Sequence, residues 1–594
     1  MDWFLRYWTI TVPSKTPFEV AGELWLFTFP SPCGNGELMT WRGLRFHRWH
    51  VLLATFLTQF VCGLLYAYMN LAGTLELLFF KTVTVEHVAT TYGEIVGCGF
   101  LGVVGAIVGP ALERRQPRVG MMIGSVFFLM GLVFSHIAVL VESYWFFILG
   151  YGSCIGIGTI LLMLSSFSTA QKWYPDYRGI AIGVTCSGFG VGFSGWAVLF
   201  LAHLGKDNSV NTAPLYSIFL MALALSGPIL VLSTVVMRSP PPMYIVNGLD
   251  VHCIAVDTNL PGAGFVQEEY LDCGMTLVNY DAMRAASPGT QSYYYQQVKA
   301  LSLLQCIMST DFLLLFIAFA ASVAPNIAFS PRLVDITAAI FTHDDTVATY
   351  AVAQNTVIAT VVGRLIAPSM SDVLIRVFYI NPAFARKIAF MFFVGAECIT
   401  ILRLQQAIEA RNFAQYEWCT TILAFTCGCG FATIPCFLID LYGVYNMGTM
   451  YGLIITSCSL GIVLIGFASA NTALINPVVL VDHLAFMGYW LIASWFLMWL
   501  VRTSSDDRFF PGYQITLFNK VLVQIPFESL KDSMTVILPE HDLSSPLHQR
   551  AASFYQWESH DEVRDSTDEY GEPKLVSLFD PRSMDPTPSR PVAI

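Results

Sequence analysis

The sequence predicts an all-α membrane protein with twelve transmembrane helices in two six-helix repeats. Three observations lead there. First, 55% of the 594 residues are hydrophobic and only 12% are charged, where soluble proteins carry about 25% charged residues; the mean hydropathy is +0.59. Second, apolar runs of the roughly 20 residues needed to cross a hydrocarbon core of about 30 Å recur twelve times. Third, six runs fall on each side of a polar stretch, and the two sets echo one another.

Residues 1–48 read as a cytosolic N-terminal segment. Its start, Met1 to Val20, contains acids and lacks a continuous apolar core ending in a cleavage site. It therefore does not read as a signal peptide and reads poorly as a transit peptide, and the first spanning helix is expected to direct insertion. Runs at 51–70, 92–112, 119–141, 144–169, 179–203 and 214–237 make an N-terminal bundle, 49–238. The central loop, 239–308, carries Pro240-Pro241-Pro242, several acids and Tyr293-Tyr294-Tyr295. Runs at 311–331, 348–370, 384–403, 417–439, 448–470 and 484–502 make a C-terminal bundle, 309–503. Residues 504–594, acidic from Asp561 to Glu572, are expected to be a largely disordered cytosolic tail, open to cytosolic partners.

Lys and Arg concentrate on one side of the spans, with Arg42, Arg45, Arg48, Arg114, Arg115, Arg118, Lys172, Arg178, Arg238, Arg376, Arg386, Lys387 and Arg502 among them. The other side has Lys81, Lys206, Arg332, Arg403 and Arg411. The basic side, with both termini and the central loop, is thus expected in the cytosol. Whether the membrane is the plasma membrane or an organelle's stays open. The net charge of -11 owes much to the tail, and nucleic acid is not an expected partner. No cofactor, metal set or catalytic constellation stands out, so an enzyme is not expected. Cys427-Gly428-Cys429 has no accompanying His or acid and reads as packing thiols.

Several polar side chains fall at membrane depth. A guanidinium stays charged, so Arg364 within the eighth run must meet a partner, a wet cavity or a ligand. It reads as an anion site, or else as a base that pairs with Asp372 or snorkels to the nearby interface. Gln59 and Tyr66 in the first run, Asn326 in the seventh and Asn355 in the eighth are candidate cavity residues. For the asparagines the alternative is an interhelical hydrogen bond, and for Tyr66 and Tyr68 an interfacial aromatic belt. Glu94 and Glu397 are candidate proton sites, and His136 reads as a packed neutral histidine.

The halves repeat particular segments. Gly109-Pro110-Ala111-Leu112-Glu113-Arg114 leaves the second run, and Pro368-Ser369-Met370-Ser371-Asp372, with Arg376 beyond, leaves the eighth. Glycines four apart, Gly179 and Gly183, then Gly448 and Gly452, open the fifth and eleventh runs and permit close helix approach. These segments resemble the major facilitator superfamily. Lys172 to Gly183 with Gly188-Phe-Gly-Val-Gly192, Arg238 to Pro242, Gly363-Arg364 with Ser371-Asp372, and Pro435 to Gly443 with Asn446 to Gly452 resemble its oxalate/formate-antiporter-like and monocarboxylate-transporter-like group. Leu304 to Phe316 resembles the neighbouring nodulin-like transporters.

The resemblance implies a secondary transporter of a small organic anion working by alternating access, with a coupled proton or counter-anion. Arg364 stands at the interval before Asp372 at which the oxalate antiporter has the arginine facing the substrate carboxylate. Cys458 stands where that pattern has a lysine, which points away from oxalate and towards a monocarboxylate. Glu113, Arg114, Asp372, Arg376 and Asp440, with Arg118, resemble the charge latches of the inner gate. A nodulin-like carrier of another solute or metal complex, and a non-transporting sensor on a transporter scaffold, remain the other readings.

Overall fold

The computed structural model describes residues 7–8, 10, 15, 17–30, 38–82, 88–204, 214–241, 244–254, 291–329, 333–341, 346–470, 477–510, 512–517 and 520–526. The chain divides into two units, Met1–Arg508 and Phe509–Ile594. The first holds the membrane helices. These are α1 (Arg48–Ala67), α2 (Val88–Glu113), α3 (Pro117–Leu140), α4 (Tyr144–Trp173), α5 (Arg178–Leu204), α6 (Leu215–Val236), α7 (Thr310–Phe329), α8 (Thr346–Arg376), α9 (Pro382–Glu409), α10 (Phe413–Tyr442), α11 (Met447–Ala470) and α12 (Pro477–Met498). Ten contain segments long and apolar enough to cross a bilayer; α7 and α11 contribute shorter apolar segments. Each of the twelve expected runs falls on one of these helices.

Local sequence sets the ends. Pro117 and Pro382 occupy first-turn positions, where the missing N–H costs nothing. Asn381 and Asn412 accept hydrogen bonds from Phe384 N and Gln415 N to open α9 and α10. Gly443, at φ 86°, closes α10 in a conformation that favours glycine. Pro368 does not end α8. The helix runs on to Arg376, so Asp372 and Arg376 sit on its last turns rather than in a loop. A bilayer helix tolerates such a proline; the carbonyl it frees is that of Arg364, one turn earlier, while Pro368 O accepts from Arg386 Nη1 at 3.1 Å.

Glycine pairs bring the halves together. A Cβ at Gly452 in α11 would lie 2.1 Å from Gly105 O in α2, and one at Gly179 in α5 would lie 2.2 Å from Pro368 O in α8. Gly452→Ala should therefore spread α2 and α11 and lower thermal stability. Gly461→Ala, on the same helix with nothing within 4 Å, should be neutral. Equal melting temperatures for the two would contradict this packing.

Short strands add to the all-α expectation. β1 (Trp25–Pro30) and β2 (Leu38–Arg45) form an antiparallel hairpin. It is held at the basic end by Arg238, which donates to Glu23 O, Trp25 O and Leu26 O, and by Arg118, which donates to Thr28 Oγ1 at 2.6 Å. The strand-favouring run Trp25 to Phe29 and the Ser-Pro-Cys-Gly-Asn-Gly segment carried that signal in the sequence. In the second unit, β3 (Gly512–Leu517) pairs with β4 (Lys520–Pro526), so the expected tail begins with ordered structure. The acidic cluster 561–572 and central-loop residues 255–290 lie outside the described residues.

Candidate functional site

Arg364 lies in α8 where it faces α5, and only 9% of it is exposed. Its Nη1 donates to Cys186 O of α5 at 3.0 Å. Its guanidinium carbon sits 5.2 Å from the Phe189 ring centre and 5.3 Å from that of Phe431, one ring from each half. Its Nε has no acceptor. Among the described residues no carboxylate pairs with it. Asp372, the alternative partner, is 2.6 Å from Arg386 instead. Burial of Arg364 also removes the snorkelling alternative. The guanidinium is thus buried with one carbonyl and two aromatic faces around it and, among the described residues, no counter-ion.

Two of the sequence candidates join it. The Tyr66 hydroxyl lies 3.4 Å from Cys98 Sγ, and its ring meets Phe189 edge-on at 5.8 Å. Asn326 hydrogen-bonds to Cys427, a thiol in the electrostatic neighbourhood of both Arg364 and Glu397. Two others lie elsewhere. Asn355 is exposed and donates to Glu417 Oε1 at 3.1 Å, an interhelical bond between α8 and α10. Gln59 donates to Ser166 Oγ at 2.6 Å inside the first bundle, leaving its own Oε1 unpartnered. Tyr68 is buried against Tyr151, ring centres 4.4 Å apart. Glu94 neighbours Tyr66, Tyr68 and Cys98. Glu397 is fully buried and neither of its carboxyl oxygens has a partner. Composition and spacing give no sign of Tyr451, which lies in the electrostatic neighbourhood of Arg364.

Below this cluster, at the basic end, charges tie the halves together. Asp440 of α10 receives Arg178 Nη1 of α5 at 3.0 Å and Arg386 Nε of α9 at 3.0 Å. Arg386 also reaches Asp372, whose two oxygens accept from Gly179 N at 3.0 Å and Ile180 N at 2.8 Å. The carboxylate thus caps the N-terminus of α5, where open N–H groups and the helix dipole favour an anion. Arg376 donates to Asp176 O at 3.0 and 2.6 Å. The expected latch residues Asp372, Arg376 and Asp440 therefore do bridge the halves. Glu113 pairs with Lys172 at 2.6 Å and Ser168 at 2.7 Å inside the first bundle, and reaches the second through Gly448, where a Cβ would lie 2.1 Å from Glu113 Oε1. Arg114 stacks over Tyr7 at 5.2 Å within the first half. Arg178 and Arg386 were absent from the sequence candidates, although two acids at helix ends required bases.

The central loop braces the same charges. Tyr294 donates to Asp440 O at 2.9 Å and Tyr295 to Asp440 Oδ1 at 3.0 Å. Arg178 Nη2 donates to Val251 O at 2.9 Å, and Cys253 Sγ to Pro175 O at 2.8 Å. A small cavity beside the brace is lined by Arg178, His252, Tyr295 and Lys299. Burial, then the two cations, hold His252 well below the usual histidine value of 6.5. Asp250 neighbours the same Lys299, and the Tyr445 ring stands 5.4 Å from the imidazole. A depressed pKa means the folded brace binds fewer protons than the open segment. Its stability is full above about 6.5 and falls as the pH drops from there towards the folded value. Hydrogen-exchange protection across 244–254, with the intrinsic pH dependence of exchange divided out, should fall as the pH drops below about 6.5, and His252→Gln should flatten that dependence.

No family model matches the chain. Among solved structures, the proton:xylose symporter XylE bound to 6-bromo-6-deoxy-D-glucose superposes with a TM-score of 0.53 at 15% identity, over 77% of this chain and 97% of XylE. This chain has the major facilitator fold. A bacterial homologue of the iron transporter ferroportin, in an outward-facing state with soaked iron, is similar to it with a TM-score of 0.50 at 11% identity, covering 76% and 98%. Among curated relatives, the oxalate:formate antiporter of Oxalobacter formigenes is 26% identical over 199 residues, 33% of this chain and 44% of the relative. An MFS-type transporter of Gibberella moniliformis is 27% identical over 147 residues, 25% of this chain and 32% of the relative. The matched segments thus span a third to under half of these relatives' lengths. In the major facilitator fold the Arg364 cluster falls between the two six-helix repeats, and the chain is an integral multi-pass membrane protein.

Proposed function

We propose that this protein is a secondary transporter of a small organic monoanion, with Arg364 as the fixed cation for the substrate. The observation that carries the reading is a buried guanidinium at the interface of the halves with cation–π contacts and a backbone carbonyl but, among the described residues, no carboxylate. One monoanion neutralises it without leaving a charge over, whereas a dicarboxylate brings a second charge that nothing at the site meets. The relative named an oxalate:formate antiporter agrees with the carboxylate class, and Cys458 agrees with a departure from oxalate. We place the latched end in the cytosol, following the Lys and Arg bias, so the latch closes the inner side. Glu397 and Glu94 are the acids available for a coupled proton.

Binding gives the direct test. A ligand that binds only the folded state raises the melting temperature with its concentration. Formate or lactate should stabilise the purified protein in a saturable way, and Arg364→Ala should remove the effect. Stabilisation by a sugar or a metal complex that survives Arg364→Ala would favour the nodulin-like reading.

A further inference from the structure

We infer that Tyr451 is a substrate-positioning residue whose hydroxyl donates to the bound monoanion beside Arg364; this rests on the anion reading of that site. Tyr451 stands on α11, across the interface from the helices that carry Cys186 and Tyr66. Its side chain is completely buried, yet its hydroxyl has no hydrogen-bond partner. Phe167 meets its ring edge-on at 5.2 Å and fixes its direction. Its electrostatic neighbours are Cys186, Cys458 and Arg364. Those of Arg364 are Cys186, Cys427, Tyr451 and Tyr66.

The chemistry of these neighbours is one-sided. Arg364 Nε–H and Tyr451 O–H are both donors, both are buried, and both lack an acceptor. The surrounding side chains, two phenylalanine rings, thiols and the Tyr66 hydroxyl, include no carboxylate. A buried phenol normally finds a partner. Two orphan donors in one neighbourhood, with one positive charge between them, describe the complement of a single carboxylate. One oxygen takes the guanidinium edge and the other takes the phenol. A neutral donor in α11 supplies direction without a second charge, so the pair selects a monoanion and penalises a dianion.

The test is Tyr451→Phe in the full chain, reconstituted in proteoliposomes, with labelled formate and lactate as monoanions and oxalate as the dianion. Removing a hydroxyl that has no partner should leave the melting temperature of the empty protein unchanged or slightly raised. A phenol holding the fold together would instead lower it. The KM for formate or lactate should rise roughly ten- to hundredfold, the worth of one hydrogen bond to a charged group, with kcat within about twofold. Tyr451→His, which keeps a donor, should recover part of the KM. Loss of uptake in Arg364→Ala with an unchanged KM in Tyr451→Phe would overturn the inference and leave the anion site standing. Normal uptake in Arg364→Ala would overturn both. A lowered melting temperature with unchanged KM would assign Tyr451 a packing role and overturn the inference.

Discussion

Arg364→Ala is expected to reduce anion uptake at least a hundredfold with protein abundance unchanged. The magnitude follows from what the substrate would lose. Charge-assisted bonds are worth about 1.5–3 kcal/mol each, and a guanidinium makes two to one carboxylate. Abundance should hold because the empty site gains little from the charge. Its guanidinium has one carbonyl and two aromatic faces for partners, and its Nε has none. Removing a buried charge without a counter-ion relieves a desolvation cost. Arg364→Lys should retain a weak residual, because a point charge cannot reproduce the fork. Quantitative immunoblotting beside initial uptake rates separates the site's role from folding.

Asp440→Asn is expected to open the latched end. Asp440 is the one carboxylate shared by Arg178 of the first half and Arg386 of the second. Deleting one partner of a buried ion pair costs about 3–5 kcal/mol. Because this pair spans the halves, the cost falls on the state in which the latch is closed. The equilibrium should then shift by about two to nearly four powers of ten. Cys436, fully buried one turn before Asp440, reports the opening. Its alkylation by a membrane-impermeant maleimide from the basic side should accelerate about a hundredfold. Asp311→Asn is the control. It breaks the ion pair with Arg502, 2.9 Å away and on the second half's side of the central loop, and should lower stability without exposing Cys436. Equal exposure in both variants would mean general loosening, not a latch.

The twelve helices were legible because bilayer thickness imposes a length that composition alone reveals. Ends were less so: Pro368 reads as a stop in water, but in α8 it is passed through, with its carbonyl held by Arg386. Of the residues gathered around Arg364, Arg364 itself was legible as a charge at membrane depth, and Tyr66 and Asn326 as polar residues at that depth. For Asn355 the sequence left a cavity role and an interhelical hydrogen bond open, because depth does not say which way a helix face points; it bonds to Glu417. Tyr451 was hidden because a tyrosine in an apolar run carries no signal until its missing partner is seen. Arg178 and Arg386 look like ordinary flanking bases, and only their distances to Asp440 reveal a network.

The most direct test is initial uptake of labelled formate, lactate and oxalate into proteoliposomes, with and without a pH gradient, by the wild-type chain and Arg364→Ala. Saturable uptake of a monocarboxylate, competed by other monocarboxylates, weaker for oxalate and absent in the variant, is the expected result. Equal uptake by wild type and variant, or transport of no carboxylate at all, would contradict an anion site at Arg364.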